Sequence, residues 1–463
     1  MTLTVLSDDQ VKDILETLSL DELEDFRKTL ADALHAFSTN LGPDGLGVFQ
    51  QPHRVSTLHP DTQATTLYMP SCGPSGMGCK GMWYKILKTH HISITNTDVY
   101  YKVVSLTAAE ATKDPSVQKI SPTGVVNLFS PDGKPIGLVH ASTLTAFRTA
   151  LASLCLVYRR NHVKTITVFG SGMQAYWHVR LALMMRGSTV KHVNIINHRF
   201  SDSAGRILKK FTIIPHEVKV REGWEAAKFT ILTPTFHEFN RLQKDYIRNA
   251  DIIYCCTPSQ EDLFEASILT NPEGRKKGRL IVAVGSYTPE MRELPEGLLQ
   301  LVTKPREKGH RHFHKHADEG GVIVIPPTQL VELGELVMLH RMAVDESESE
   351  ASDVMSQTSS FSELDLSDRT QSMNTAYSDL PPSPSSTTSS GHKSPFSKHF
   401  RKTSSNLSDK DKEKQKDDAL SRWLRDGTVV YKSVGVGLMD LVVGTKLIEV
   451  AQQKNMGTQI EGF

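Results

Sequence analysis

The chain has 463 residues, with 53 Lys and Arg against 52 Asp and Glu, a formal net charge of +1. That length allows two or three domains, and the balanced charge gives no pull towards nucleic acid or a membrane surface. There is no run of about 18 uncharged apolar residues. The opening MTLTVLSDDQ lacks the basic and apolar regions of a secretory leader, and five cysteines make a sparse, odd set. A reducing, cytoplasmic setting is therefore expected, without a membrane span or a disulfide framework.

Residues 7–38 read as helical, with a Ser cap, an acidic first turn and an apolar face of Val11, Ile14, Leu15 and Leu18. Residues 44–160 mix short β-rich runs with turns. TTLYMP (65–70), YYKVVSL (100–106) and GVVNLFSPDGKPIGLVHAS (124–142) predict strands, and SPDGKP supplies the Asp-Gly signal of a hairpin. Residues 71–97 are Gly-rich and read as an irregular surface insertion. TLTAFRTALASLCLVYRR (143–160) predicts a helix. Strand and helix then alternate: KTITVFG (164–170), QAYWHVRLALMMRG (174–187), HVNIINH (192–198), DSAGRILKKF (202–211), ADIIYCCT (250–257) and RLIVAVGS (279–286). Such alternation predicts a parallel sheet flanked by helices. Residues 345–420 are rich in Ser, Thr, Asp and Lys, too poor in apolar groups to offset chain entropy, and are expected to be disordered. Order resumes with an apolar strand-to-helix run at 428–453.

Within the alternating region, VFGSGMQAYWH (168–178) holds Gly170-x-Gly172-x-x-Ala175, close to the dinucleotide-binding fingerprint, with a strand before it and a helix after it. Gly170 permits the tight turn. Gly172 lets the backbone approach a pyrophosphate at the helix N-terminus, where free N–H groups and the helix dipole favour an anion. Ala175 still allows close helix–strand packing. Without a ligand, the same pattern is simply a tight turn. An NAD site places an acid at the end of the next strand, but here the chain reads Ile196-Asn197-His198-Arg199. Arg199 can pair with a 2′-phosphate, which favours NADP(H) over NAD(H). The plainer alternative is an exposed arginine after a strand.

The chain resembles the ornithine cyclodeaminase/mu-crystallin family in QPHRVSTLHP (51–60), YMP (68–70), YYKVVSL (100–106) and SPDGKPIGLVHASTLTAFRTALAS (130–153). The likeness continues through VFGSGMQAYWH, ADIIYCCTPS (250–259), VAVGSYTPEMREL (282–294), QLVELGELV (329–337) and VVYKSVGVGLMD (429–440). TAFRTA upstream of FGSGMQA is its most specific feature. The resemblance implies an α/β subunit with two domains. One is a mainly antiparallel substrate-binding and dimerisation domain, residues 1–159, joined by returning segments 331–344 and 421–463. The other is a Rossmann domain, residues 160–330, and residues 345–420 form a Ser-rich insertion. It also implies a homodimer and a small carboxylated amine or imine as substrate.

By the same resemblance, Arg54 and Arg148 hold the substrate carboxylate, Arg148 also lies near the cofactor, and Lys102 is the active-site lysine. Arginine clamps a carboxylate bidentately, and a lysine crowded by cations has a lowered pKa suited to proton transfer at nitrogen. Gly170, Gly172, Met173, Gln174 and Ala175 would cradle the pyrophosphate, and Asn197 and Arg199 would meet the adenosine ribose. Thr257, Val284 and Gly285 end later strands, where open α/β sheets bind ligands. Ser433 would return to the nicotinamide and Val434 to the substrate. Asp440 matches an acidic position of the family, and also reads as an acid at a helix N-terminus.

One departure bears on the reaction. Cyclodeaminases carry an aspartate for the substrate's side-chain amine, and Tyr287 stands at that position here. A phenol, with a reference pKa of about 10, supplies no fixed negative charge near neutral pH. The expectation is thus reduction of the C=N bond of a small cyclic imino acid, or its reverse. The alternatives are ornithine cyclodeamination, giving proline and ammonia, and a non-catalytic protein that binds NADP(H) and a small ligand. His310, His312, His314 and His316 alternate as a metal-binding strand would, but no Cys or acid cluster is spaced to complete a site, and no metal is expected. Ser383-Pro384, Ser394-Pro395 and RKTSS (401–405) read as phosphorylation sites.

Overall fold

The computed structural model describes residues 2–39, 47–58, 65–74, 76–84, 123–199, 202–285, 291–303, 331–339 and 409–463. Lys102 and the strand expected over 100–106, Tyr287, the alternating histidines and the expected phosphorylation sites lie outside these residues. The chain opens with β1 (Thr2–Leu6), α1 (Asp8–Glu16), α2 (Leu20–Thr39), β2 (Val55–Leu58), β3 (Thr65–Gly73), β4 (Gly76–Tyr84), β5 (Val125–Phe129), β6 (Pro135–His140) and α3 (Ala141–Val157). There follow β7 (Thr165–Phe169), α4 (Met173–Arg186), β8 (His192–Ile196), α5 (Asp202–Ile213), α6 (His216–Glu222), β9 (Lys228–Leu232), α7 (Phe239–Asn249) and β10 (Ile252–Cys255). After these come α8 (Ser267–Thr270), α9 (Pro272–Arg275), β11 (Leu280–Ala283), α10 (Glu296–Thr303) and α11 (Leu333–Leu336). The chain ends with α12 (Asp409–Asp426), β12 (Val429–Lys432), α13 (Gly437–Gln453) and β13 (Thr458–Glu461).

Two sheets form. The first runs β13-β1-β6-β5-β4-β3-β2 and is antiparallel except between β1 and β6. The hairpin expected at SPDGKP joins β5 to β6: Gly133 has φ +80°, and the Ser130 and Lys134 backbones bond at 2.8 Å. The region read as an irregular insertion begins instead as a second hairpin, in which β3 pairs with β4 from Gly73↔Gly76 to Thr65↔Tyr84. Its glycines serve close packing: Gly76 has φ +134°, and a Cβ there would lie 2.0 Å from the Phe129 oxygen on the neighbouring strand.

The second sheet runs β12-β11-β10-β7-β8-β9, all parallel. Counting β7 as first, this is the 3-2-1-4-5-6 order of the Rossmann fold, with its switch point between β7 and β10. The sixth strand is β12, so the C-terminal segment expected to return wholly to the first sheet contributes a strand to the second. Only after β12 do α13 and β13 return, β13 pairing with β1. Residues 409–420, expected to be disordered, lie in α12, and the stretch read as helical over 7–38 forms two helices that meet at residues 17–19.

Helix α3 leaves the first sheet directly after β6 and is buried along nearly its whole length. It packs edge-on against α4 through Phe147 and Trp177, whose ring centroids are 5.3 Å apart. The same Phe147 meets Phe26 of α2 at 5.7 Å. No helix of the described residues is long and apolar enough to cross a membrane.

Candidate active site

The glycine loop sits where β7 ends and α4 begins. Gly170 has φ +100°, and a Cβ there would lie 2.6 Å from the Cys256 oxygen, so this turn requires glycine. Gly172, the exposed residue before α4, is different: a Cβ there would meet no atom within 4 Å. It offers no side-chain cap, which leaves the first-turn amides of Met173, Gln174 and Ala175 for another acceptor. Gln174 Oε1 is buried without a hydrogen-bond partner. An open cradle and uncapped amides together suit a dinucleotide pyrophosphate, whereas Gln174 Oε1, an acceptor, calls for a donor and not for a phosphate.

At the end of β8, Asn197 is buried. Its N–H bonds the Leu232 oxygen at 3.0 Å, and its side-chain amide donates to the Arg199 carbonyl at 2.9 Å. Asn197 thus shapes the turn that presents the exposed Arg199.

The ends of β10, β11 and β12 are tied by two residues that the sequence did not single out. Glu293 Oε1 accepts from the Thr257 N–H at 2.7 Å and its hydroxyl at 2.9 Å, while Oε2 accepts from the Gly285 N–H at 2.7 Å. Burial raises the Glu293 pKa, opposed by these bonds and by Lys432. Lys432 Nζ donates to the Gly285 carbonyl at 2.9 Å. Val284 and Ser433 continue the ladders through bonds to the Cys255 and Ala283 oxygens. Thr257, Val284, Gly285 and Ser433 therefore share the carboxyl edge of the sheet with the glycine loop.

Arg148 reaches this edge from α3 and is 4% exposed. Its Nε donates to Asp440 Oδ1 at 3.2 Å, and Nη1 meets Met439 Sδ at 3.5 Å. Asp440 lies in the first turn of α13, so two residues matched by the sequence resemblance are partners in one buried ion pair. Gly435, at φ +73°, passes so close to Arg148 that a Cβ would lie 2.4 Å from Nη1. Burial pushes the Tyr431 phenol up to about 12, with the Ser433 hydrogen bond and the Arg148 charge acting in the opposite direction. Arg148, Tyr431, Ser433 and Gly435 are thus neighbours, and Val434 between them is exposed.

Arg54 stands exposed just before β2. Three residues earlier, Gln51 donates to the Pro70 oxygen and accepts from the Leu438 N–H, both at 2.8 Å, anchoring this segment to the start of α13. A further residue without a sequence signal is His178. Burial drives its pKa down to about 4, so the ring is neutral. It lies 3.0 Å from Ser153 Oγ on α3 and 2.8 Å from the Gln174 oxygen on α4, linking the helix of Arg148 to the helix that follows the glycine loop.

No family model matches the chain. Among curated proteins it is 29% identical over 241 residues to an uncharacterized Saccharomyces cerevisiae protein, covering 46% of this chain and 63% of that one. It is also 29% identical over 207 residues to an uncharacterized cyclodeaminase of Dictyostelium discoideum, covering 43% and 54%. The matches thus span less than two thirds of these relatives. Three solved structures share the fold at 15% identity. The iminosuccinate reductase of Paracoccus denitrificans with NAD+ has a TM-score of 0.54, with 100% of both chains covered. An archaeal alanine dehydrogenase dimer with NAD has 0.53, also with 100% of both covered. The Thermococcus litoralis Δ1-pyrroline-2-carboxylate reductase with NADH and L-proline has 0.51, covering 99% of this chain and 100% of that one. The fold is that of the ornithine cyclodeaminase and alanine dehydrogenase group of nicotinamide-dependent reductases, the family that the chain resembles in sequence and in structure.

Proposed function

We propose that the protein is an oxidoreductase that forms or breaks the C–N double bond of a small carboxylated imine, with NADP(H) favoured over NAD(H), and that it acts as a homodimer. The observation that carries this reading is the placement of Arg148. Asp440 takes its Nε end-on, and the Nη2 donors have no hydrogen-bond partner among the described residues. The outer edge of the guanidinium is thus left for a carboxylate, held bidentately beside Gly435 and Ser433. A nicotinamide nucleotide at the glycine loop would supply or accept hydride. Arg148, with Arg54, would fix the substrate's orientation. Lys102, outside the described residues, would hold the proton at the substrate nitrogen. Exposed Arg199, with no acid at the end of β8, supports recognition of a 2′-phosphate.

Tyr287 in place of an aspartate weighs against ornithine. A panel of cyclic ketimines and basic amino acids, followed by nicotinamide absorbance, tests the reading. It expects turnover of an imine with NADPH that is lost in Lys102→Ala and Arg148→Met. Release of proline and ammonia from ornithine would instead establish the cyclodeaminase. Ligand binding without turnover of any imine would establish the non-catalytic alternative.

A further inference from the structure

A third cation beside the glycine loop has no role in the reading above. Lys210, in the second half of α5, is half-buried. Its Nζ lies 3.0 Å from Met173 Sδ and 4.7 Å from the Tyr176 ring centre. Met173 and Tyr176 lie on the first turn of α4. Among the described residues, no carboxylate forms an ion pair with Lys210. The charged groups that face it are Lys12, Glu16 and Asp8 from α1 and Arg206 from its own helix, and burial lowers its pKa. Both acids are already engaged. Asp8 accepts from His140 and from the Thr143 N–H, and Glu16 hydrogen-bonds Tyr176. A half-buried ammonium held by a thioether and a ring is desolvated without a matching anion, because sulfur is a weak acceptor. Met173 is itself the first residue of α4, so Nζ stands one side chain away from the uncapped amides that suit a pyrophosphate.

We propose that Lys210 is a phosphate ligand for the nucleotide bound at the glycine loop. This deepens the nucleotide reading above and rests on it. The flexible Met173 side chain gives way readily, and the lysine stem follows the anion. The phosphate has two possible sources. One is the pyrophosphate at the start of α4; the other is a 2′-phosphate beside Arg199, three residues before the start of α5. NADPH and NADH separate them.

The test titrates both nucleotides by calorimetry against wild type, Lys210→Met and Lys210→Arg. Methionine retains the apolar stem that packs on Met173 and Tyr176, and a thermal melt checks that the variant is folded. Loss of a charge-assisted hydrogen bond is expected to weaken binding about ten-fold or more. An equal loss for NADPH and NADH assigns the pyrophosphate, and a loss for NADPH alone assigns the 2′-phosphate. Lys210→Arg is expected to restore binding in either case. A folded Lys210→Met that binds both nucleotides as tightly as wild type overturns the proposal. A wild-type protein that binds neither nucleotide overturns the nucleotide reading itself.

Discussion

Substituting Gly435 by alanine tests the Arg148 site more sharply than substituting the arginine, because it moves the guanidinium without removing it. Two effects follow from the geometry. The backbone at φ +73° is left-handed, which costs an alanine about 1 kcal/mol. The added Cβ would also lie 2.4 Å from Nη1 and 3.1 Å from Nη2, well inside van der Waals contact at about 3.5 Å. Arg148 must therefore retreat by about 1 Å, while Asp440 holds its Nε at 3.2 Å. A misplacement of that size lowers catalysis by about 100-fold. The pyrophosphate cradle belongs to other elements, so nucleotide affinity, to which Arg148 contributes only at the nicotinamide end, should fall far less than kcat/KM. The assay pairs kcat/KM for the imine substrate with calorimetric titration of NADPH and a thermal melt. A folded Gly435→Ala enzyme with wild-type kcat/KM would refute the assignment of Arg148 to the substrate.

Gly172→Ala should fold, since its Cβ meets no atom within 4 Å, yet narrow the cradle and weaken NADPH about ten-fold or more. Equal nucleotide affinity in that variant would move the pyrophosphate elsewhere. Glu293→Ala orphans three donors, the Thr257 N–H and hydroxyl and the Gly285 N–H. At about 1–3 kcal/mol each, partly offset by removing a desolvated carboxylate, the net loss should be about 3 kcal/mol in urea unfolding. A loss under about 1 kcal/mol would contradict the clamp. His178 has its pKa depressed from 6.5 to about 4, so below 6.5 the unfolded chain binds a proton that the folded one refuses. Its contribution to stability is present above that pH and is lost as pH falls towards 4. The Tm of His178→Gln should therefore fall less between pH 7 and pH 5 than that of wild type, and parallel curves would argue against it.

The parts of the fold set by local pattern were legible in the sequence. Gly170 and Gly172 lie between a run of apolar residues and a helical one; Gly170 makes the tight turn that its place suggests, and Gly172 leaves open space at the start of the helix. The hairpin at Gly133 followed from Asp-Gly in the same way. Pairings between distant segments were not legible. VVYK reads as a strand, but nothing in four residues says that it pairs with β11, which ended at Ala283, 146 positions before Val429. The β3–β4 hairpin was obscured because the glycines that admit close strands also look irregular. Buried charge was the least legible feature. Asp440 reads as an ordinary acid at a helix start, yet it pairs with an arginine 292 residues away. Glu293 lay inside a stretch that matched the family and carried no sign of its three donors.

The proposed geometry depends on α3 more than on either sheet. The helix starts on the last residue of β6, so the first sheet fixes one end. Phe147 against Trp177, and Ser153 against His178, fix its side against α4, whose own start is the glycine loop. At its far end, Arg159 donates to the carbonyls of Leu336, Val337 and Leu339, and Arg160 to those of Arg425 and Gly427. The second pair lies directly ahead of β12, the strand that brings Ser433 and Gly435 to Arg148. Burial lowers the Arg160 pKa to about 10, so the side chain remains cationic at neutral pH and keeps its bonds to those carbonyls. One helix thus carries the arginine, sets its distance from the cofactor loop through close-packed aromatics, and holds the root of the strand that covers it. This explains how residues from four remote stretches of chain form one site with few direct contacts among themselves: each is positioned against α3 or against the sheet edge that α3 faces.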